Sequence, residues 1–119
     1  MLNKVHLIGR VGSDAEKKII KESVSVIKFS IATSTSKKVN NEWKQETQWH
    51  RCSMFVNKFN TKSAETLLSV AKKGKLMYVE GQLKYAEWER QGVKTEIAGI
   101  QVSTYKLLEK KDTTTSTEF

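Results

Sequence analysis

The chain contains no proline. Its turns must therefore come from Gly, Asn, Asp and Ser. It has one cysteine, Cys52, which excludes an internal disulfide and points to a reducing compartment. Only two histidines occur, His6 and His50. No His, Cys or carboxylate cluster has metal-ligand spacing, and no glycine-rich loop could cradle a phosphate. The carboxylates are scattered, without a recognisable acid–base pair. No metal, cofactor or catalytic residue is expected, and enzymatic readings, a nuclease among them, are weak. No apolar run is long enough to span a bilayer, so no membrane partner is expected. The start, Met1-Leu2-Asn3-Lys4-Val5, enters strand-like sequence at once, without a visible signal peptide or presequence.

What the chain does have is positive charge. Twenty-one Lys and Arg face thirteen Asp and Glu, a net +8. Beyond residue 108, Glu109, Asp112 and Glu118 outnumber Lys110 and Lys111 by one, which leaves +9 on residues 1–108. The positive field belongs to the folded part and suits a polyanionic partner. The length, 119 residues, fits one domain, expected over residues 1–108, with a short disordered tail over 109–119. A domain of this size gains from oligomerisation.

The patterning is mostly of period two. Val5, Leu7 and Gly9 alternate with His6, Ile8 and Arg10 in a first strand to about Val11. Gly12-Ser13-Asp14 marks a turn, and Lys17 to Glu22 extends that strand as a second short piece. Ile27, Phe29 and Ile31 alternate with Lys28 and Ser30 in a half-buried strand over Val24 to Thr33. The polar stretch Thr35 to Glu46 predicts a long mobile hairpin loop, and Thr47 to Val56 the next strand. Ala64, Leu67, Leu68 and Ala71 form a helical stripe within Ser63 to Lys73. Ser63 or Thr61 is the candidate cap, and Lys72, Lys73 and Gly74 suit the helix end. Leu76 to Trp88 and Lys94 to Val102 are the last strands, joined by a turn at Glu89-Arg90-Gln91-Gly92, with Leu107 and Leu108 closing the core. The fold class is all-β: a five-stranded OB-fold Greek-key barrel with one α-helix between strands three and four. Gly9 and Gly81, inside strands, mark bends or close backbone approaches.

The chemistry concentrates on one strand. Residues two apart share a strand face, so Trp49, Arg51, Ser53 and Phe55 point together. A core face does not readily bury an unpaired guanidinium, whereas His50, Cys52, Met54 and Val56 make a suitable inner set. The Trp49 face is thus expected in solvent, as two stacking rings with a cation between them, which suits single-stranded nucleic acid. Trp88, just before a hairpin, and Trp43, in the polar stretch, are further stacking candidates; Tyr85 points to the face opposite Trp88. Candidate phosphate partners are Arg10, Lys37, Lys38, Arg51, Lys58, Lys72, Lys73 and Lys84. A His50–Cys52 pair shares a face, but the thiol reads as structural.

Several motifs in order carry a resemblance: Asn3-Lys4-Val5-His6-Leu7-Ile8-Gly9-Arg10-Val11-Gly12, Phe29-Ser30-Ile31-Ala32-Thr33-Ser34, Glu46-Thr47-Gln48-Trp49-His50-Arg51, Lys73-Gly74 and Tyr78-Val79-Glu80-Gly81-Gln82-Leu83. Over residues 3 to 108 the chain resembles the bacterial and mitochondrial single-stranded DNA-binding protein family. The resemblance implies an OB-fold homotetramer, a dimer of dimers, that wraps single-stranded DNA without sequence preference in replication, recombination and repair. It implies base stacking by Trp49, Phe55 and Trp88, and a subunit contact at His50, to which His6 and Tyr78 are added as interface candidates. It implies the cytoplasm and nucleoid of a bacterium, or alternatively the mitochondrial matrix. The chain departs from the family pattern at Lys37, where an aromatic is usual, at Lys84-Tyr85-Ala86-Glu87-Trp88, which is poorer in cations, and at Ser13-Asp14-Ala15. Terminal Phe119 has only Glu118 beside it, which argues against tail-mediated protein partners. The alternative function is an RNA-binding or RNA-chaperone OB-fold protein, since stacking tolerates either nucleic acid.

Overall fold

A computed structural model describes residues 1–21 and 24–109, apart from the side chains of Trp88 and Arg90. Among the described residues six strands and one helix follow in the order β1 (Val5–Val11), β2 (Glu16–Lys21), β3 (Val24–Val39), β4 (Glu42–Val56), α1 (Thr61–Val70), β5 (Leu76–Arg90) and β6 (Val93–Leu107). The sheet order is β1-β5-β6-β4-β3-β2. β1 also pairs with β3, at Arg10↔Ala32 and Val11↔Ile31, and this closes the barrel. β2 then continues along the same edge of β3, from Glu16↔Lys28 onward. β1 and β2 therefore act as one barrel strand interrupted near Gly12. Counted that way there are five staves, with β4 and β6 parallel and the other neighbours antiparallel. This is an OB-type barrel. It differs from the sequence expectation in having six separate strands and in placing the helix after the fourth.

The core follows the alternation. Val11, Ile27, Phe29, Ile31, Cys52, Met54, Met77, Val79, Ile100 and Val102 fill the interior. α1 closes one end with Ala64, Leu67 and Val70, while Leu68 is only half-buried. The helix is shorter than the stripe predicts. It starts after Asn60, whose side chain makes no cap bond, and ends at Ala71, so neither Ser63 nor Thr61 is the N-cap and Lys72 and Lys73 lie past its last turn. Gly74, at φ +88, turns the chain toward β5, and its N–H donates to the Val11 carbonyl at 2.7 Å. The Tyr105 hydroxyl ties β6 to the helix by donating to the Ser63 carbonyl at 2.5 Å. Leu107 packs against the core, but Leu108 is exposed, contrary to expectation.

Two glycines permit closure. A Cβ on Gly9 would run into the backbone carbonyl of Ala32, and one on Gly81 into that of Gln101. Beside Gly81 the register slips: Glu80 pairs with Thr104 but Gly81 with Val102. The skipped residue, Ser103, donates its hydroxyl to the Glu80 carbonyl at 3.1 Å. This bulge returns Tyr105 and Leu107 to the inner side along with Val102 and Ile100.

The largest difference from the sequence reading is at 35–46. The predicted loop is paired strand. Ser34↔Thr47 through Val39↔Glu42 continue the β3–β4 ladder, and the turn is only Asn40-Asn41, at φ 51 and 66. Two consecutive positive φ values define a two-residue hairpin turn whose twist matches the strands, and Asn is among the residues that adopt it. The β5–β6 hairpin closes in the same way at Gln91-Gly92, φ 52 and 79, within the turn expected there. Of the tail expected to be disordered over 109–119, only Glu109 is described; residues 110–119 lie outside the described residues.

Candidate nucleic-acid interface

Pleating sorts β4 into two faces. Cys52 and Met54 are buried and His50 is half-buried. On the other face Trp49 is 63% and Phe55 43% exposed, Arg51 is exposed, and Ser53 is half-buried. Because the strand continues to Glu42, Trp43 shares the Trp49 face and is 71% exposed. Trp43, Trp49 and Phe55 recur every six residues, so successive rings stand about 20 Å apart at strand rise. β3 runs alongside with Lys38 opposite Trp43, Ala32 opposite Trp49, Ser30 opposite Arg51 and Lys28 opposite Ser53.

Trp49 has a built seat. A Cβ on Gly12 would overlap the indole edge of Trp49, and the Ser30 hydroxyl oxygen lies in the same space. The missing side chain lets the ring lie against the break between β1 and β2 while its remaining surface stays in water.

Beyond Arg51 and Phe55 the face opens into a groove of about 970 Å³. Its near wall carries Lys28, Arg51 and Phe55, and Ile20 of β2 adds an apolar edge. Its far wall is the β5–β6 ribbon, with Lys84, Tyr85, Ala86 and Ile97. Tyr85 is 62% exposed. Asn3 braces the root of this ribbon: its side-chain amide donates to the Leu83 carbonyl and accepts from the Leu83 N–H, each at 2.9 Å. It thereby extends the β1–β5 pairing by one step past Val5↔Gly81.

The predicted cations divide. Arg51 and Lys84 line the groove, and Lys38 flanks Trp43. Lys37 faces away from that track, opposite Lys44. Lys58 sits in the turn just past β4, its ammonium 5.2 Å from the Phe59 ring centroid. Lys72 and Lys73 follow α1; the Lys73 N–H donates to Asp14 Oδ1 at 2.9 Å, which brings that loop to the groove rim, where Asp14 lies. Arg10 is not in the groove. It stands on the outer side of β1, donating to the Gly74 carbonyl at 3.0 Å and to Glu109 Oε1 at 2.7 Å. The Leu76 N–H also donates to that carboxylate; this bond first, and the Arg10 charge after it, holds the Glu109 carboxyl below its ordinary range. The backbone of Trp88 pairs with Thr95, and its side chain lies outside the described residues.

Of the interface candidates, His6 and Tyr78 meet. The His6 Nδ1–Tyr78 hydroxyl distance is 2.8 Å, the rings stack at 6.2 Å, and Glu80 lies 3.5 Å from the imidazole. Partial burial, then the Glu80 carboxylate, pushes the Tyr78 phenol up. His50 belongs to another network, with its Nε2 2.8 Å from the Thr33 hydroxyl. Burial pushes the Cys52 thiol up to about 12, so it is protonated and poorly nucleophilic at neutral pH.

The groove also holds Lys28 and Tyr85, which the sequence analysis does not place among the candidates. The signal for Lys28 was present: it alternates with Ile27 and Phe29 and so must face outward. For Tyr85 the strand pattern alone fixed only which residues share its face, not that a groove passes there.

Three comparisons bear on this arrangement. The model of the "Single-strand binding protein family" matches residues 2–108. A single-stranded DNA-binding protein of Borreliella burgdorferi is 36% identical over 88 residues, covering 74% of this chain and 56% of the relative, so the chain spans about half that relative's length. A solved structure described as a Plasmodium falciparum SSB complex with ssDNA is similar with a TM-score of 0.78 at 30% identity, covering 92% of this chain and 96% of that one. With the family model covering nearly the whole described fold, this chain belongs to the single-strand binding protein family.

Proposed function

We propose that this chain binds single-stranded DNA without sequence preference, by stacking bases on exposed rings and neutralising phosphates between them. The observation that carries the reading is the β4 face, where Trp49 and Phe55 stand in solvent on either side of Arg51. Unpaired bases present π-faces that such rings match, whatever the base. Trp43 extends the track along the β3–β4 ribbon, and Tyr85, Lys84 and Trp88 serve it from the β5–β6 ribbon. The naming of the Borreliella relative and of the Plasmodium complex supports DNA as the ligand. The role is protection of exposed strands in replication, recombination and repair, in the bacterial cytoplasm or, alternatively, the mitochondrial matrix. The working form is a homotetramer using the His6, Tyr78 and His50 surfaces. The protein acts as a binder and not a catalyst: its thiol is buried and protonated, and His50 is held by Thr33.

A fluorescence titration with poly(dT) tests this. Indole emission is quenched on binding, and Trp49→Ala and Phe55→Ala each weaken affinity by about 1–3 kcal/mol. Wild-type affinity in a folded Trp49→Ala variant would overturn the stacking role, and tighter binding of oligo(rU) than oligo(dT) would move the function to RNA.

A further inference from the structure

Just past β4 the chain makes a turn that is heavily fastened and yet presents a large apolar ring to water. Asn57 Oδ1 accepts from the N–H of Phe59 at 2.7 Å and of Asn60 at 3.0 Å. Asn60 replies, its Oδ1 accepting from the Asn57 N–H and its Nδ2 donating to the Phe55 carbonyl, both at 2.8 Å. The Thr61 hydroxyl donates to the Asn57 carbonyl at 3.0 Å. Five bonds involving side chains thus hold the turn 57–61, and what it holds out is Phe59, 86% exposed. Lys58 lies 5.2 Å from the ring centroid, and Lys62 follows on the first turn of α1.

An isolated surface Phe needs no explanation. A Phe carried on a turn fastened by this many bonds, with a cation against one face and the other open, has the parts of a stacking site. The ring's π-cloud attracts the ammonium, and a base laid on the open face completes a sandwich with phosphates near Lys58 and Lys62. The turn is also tied to the aromatic track, because Asn60 bonds the carbonyl of Phe55 itself.

We propose that Phe59 is a further base-stacking platform, continuing the strand's path past Phe55 to the start of α1, with Lys58 and Lys62 as its phosphate partners. This rests on the single-stranded DNA reading. The ligand is one more unpaired nucleotide of the same strand, so the contact is made only by oligonucleotides long enough to extend beyond the Phe55 position.

The test compares Phe59→Ala, Phe59→Leu and Phe59→Trp with Phe55→Ala on oligo(dT) of increasing length. Because Phe59 contributes nothing to the core, all three variants are expected to fold. Phe59→Ala and Phe59→Leu should weaken binding of long strands about 5- to 100-fold while leaving the shortest bound strands unaffected, and Phe59→Trp should restore it. Photocrosslinking of wild-type protein to an oligonucleotide carrying 5-iodouracil should give adducts at Phe59. Loss of affinity in Phe55→Ala with none in Phe59→Ala, or adducts at Trp49 and Phe55 but never at Phe59, overturns the inference and leaves the function standing. Unchanged affinity in both Phe55→Ala and Phe59→Ala overturns the function as well.

Discussion

Trp49 shows how much the placing of an exposed ring depends on the residue that is not there beside it. Its indole occupies the space a Gly12 side chain would fill, yet it remains 63% exposed. A ring free in water samples several rotamers, and ordering it on a base costs entropy; a ring already seated has less to lose. Gly12→Ala should therefore act on DNA binding through Trp49. The added methyl cannot coexist with the present indole position, and the ring is softer than the backbone, so the ring moves. The expected outcome is a shifted emission maximum in the free protein and affinity weakened by up to about 1–3 kcal/mol, within the range for losing one stacked base. An unchanged spectrum and affinity would mean that the seat does not matter. Both Trp49 and its exposure were legible in sequence, because an arginine two residues along the same face makes a poor core partner. The role of Gly12 was not, because it depends on which ring folds back over a turn.

The two hairpin ribbons carry much of the proposed interface, and they are unequally legible in the sequence. The β5–β6 ribbon announced itself through its Gln-Gly turn and flanking β-rich segments. The outer half of the β3–β4 ribbon did not. Period-two patterns are visible when one face is apolar, and from Ser34 to Thr47 every residue but half-buried Val39 is exposed, so Ser, Thr, Lys and Gln alternate without contrast. Asn40-Asn41 was the signal available, and the polarity around it hid it. As a loop, that segment would leave Trp43 without a defined face; the continuous strand places it on the Trp49 face. The β5–β6 ribbon also shows how position is set by a few contacts at its root. Asn3 supplies two hydrogen bonds to Leu83 where β1 would otherwise cease to pair. Asn3→Ala removes both. The bonds are exposed, so global stability should fall by only about 0.5–1.5 kcal/mol per bond at most. Hydrogen exchange should nonetheless speed up at the Leu83 amide and beyond it along the ribbon, and affinity for DNA should fall with it, because Lys84 and Tyr85 follow directly. Slow exchange retained at Leu83 in the variant would show that the ribbon is held by its other pairings alone.

At the scale of the whole molecule, the positive charge is large but unevenly placed, and counting lysines says little about which ones meet phosphate. Lys28, Lys38, Arg51 and Lys84 stand along the aromatic track or in the groove, whereas Arg10 is committed elsewhere, between Gly74, Glu109 and the outer side of β1. Counterion release separates these two groups. Each phosphate neutralised on single-stranded DNA contributes about −0.7 to the slope of log affinity against log salt, so the four track cations should give a slope of about −3, steeper if Lys58 and Lys62 also engage. Replacing one cation at a time then reads its place in the interface. Lys28→Ala, at a position on the outward face of β3, should make the slope shallower by about 0.7 and weaken binding at low salt. Arg10→Ala should leave the slope as it is, although it removes the partner that helps hold the Glu109 carboxyl ionised. The measurement is a titration of oligo(dT) at a series of salt concentrations for the three proteins. A slope near zero in the wild type would make the basic character incidental to binding. A slope that changes with Arg10 and not with Lys28 would place the DNA on the β1 side of the barrel, away from the aromatic track, and the stacking account would fail with it.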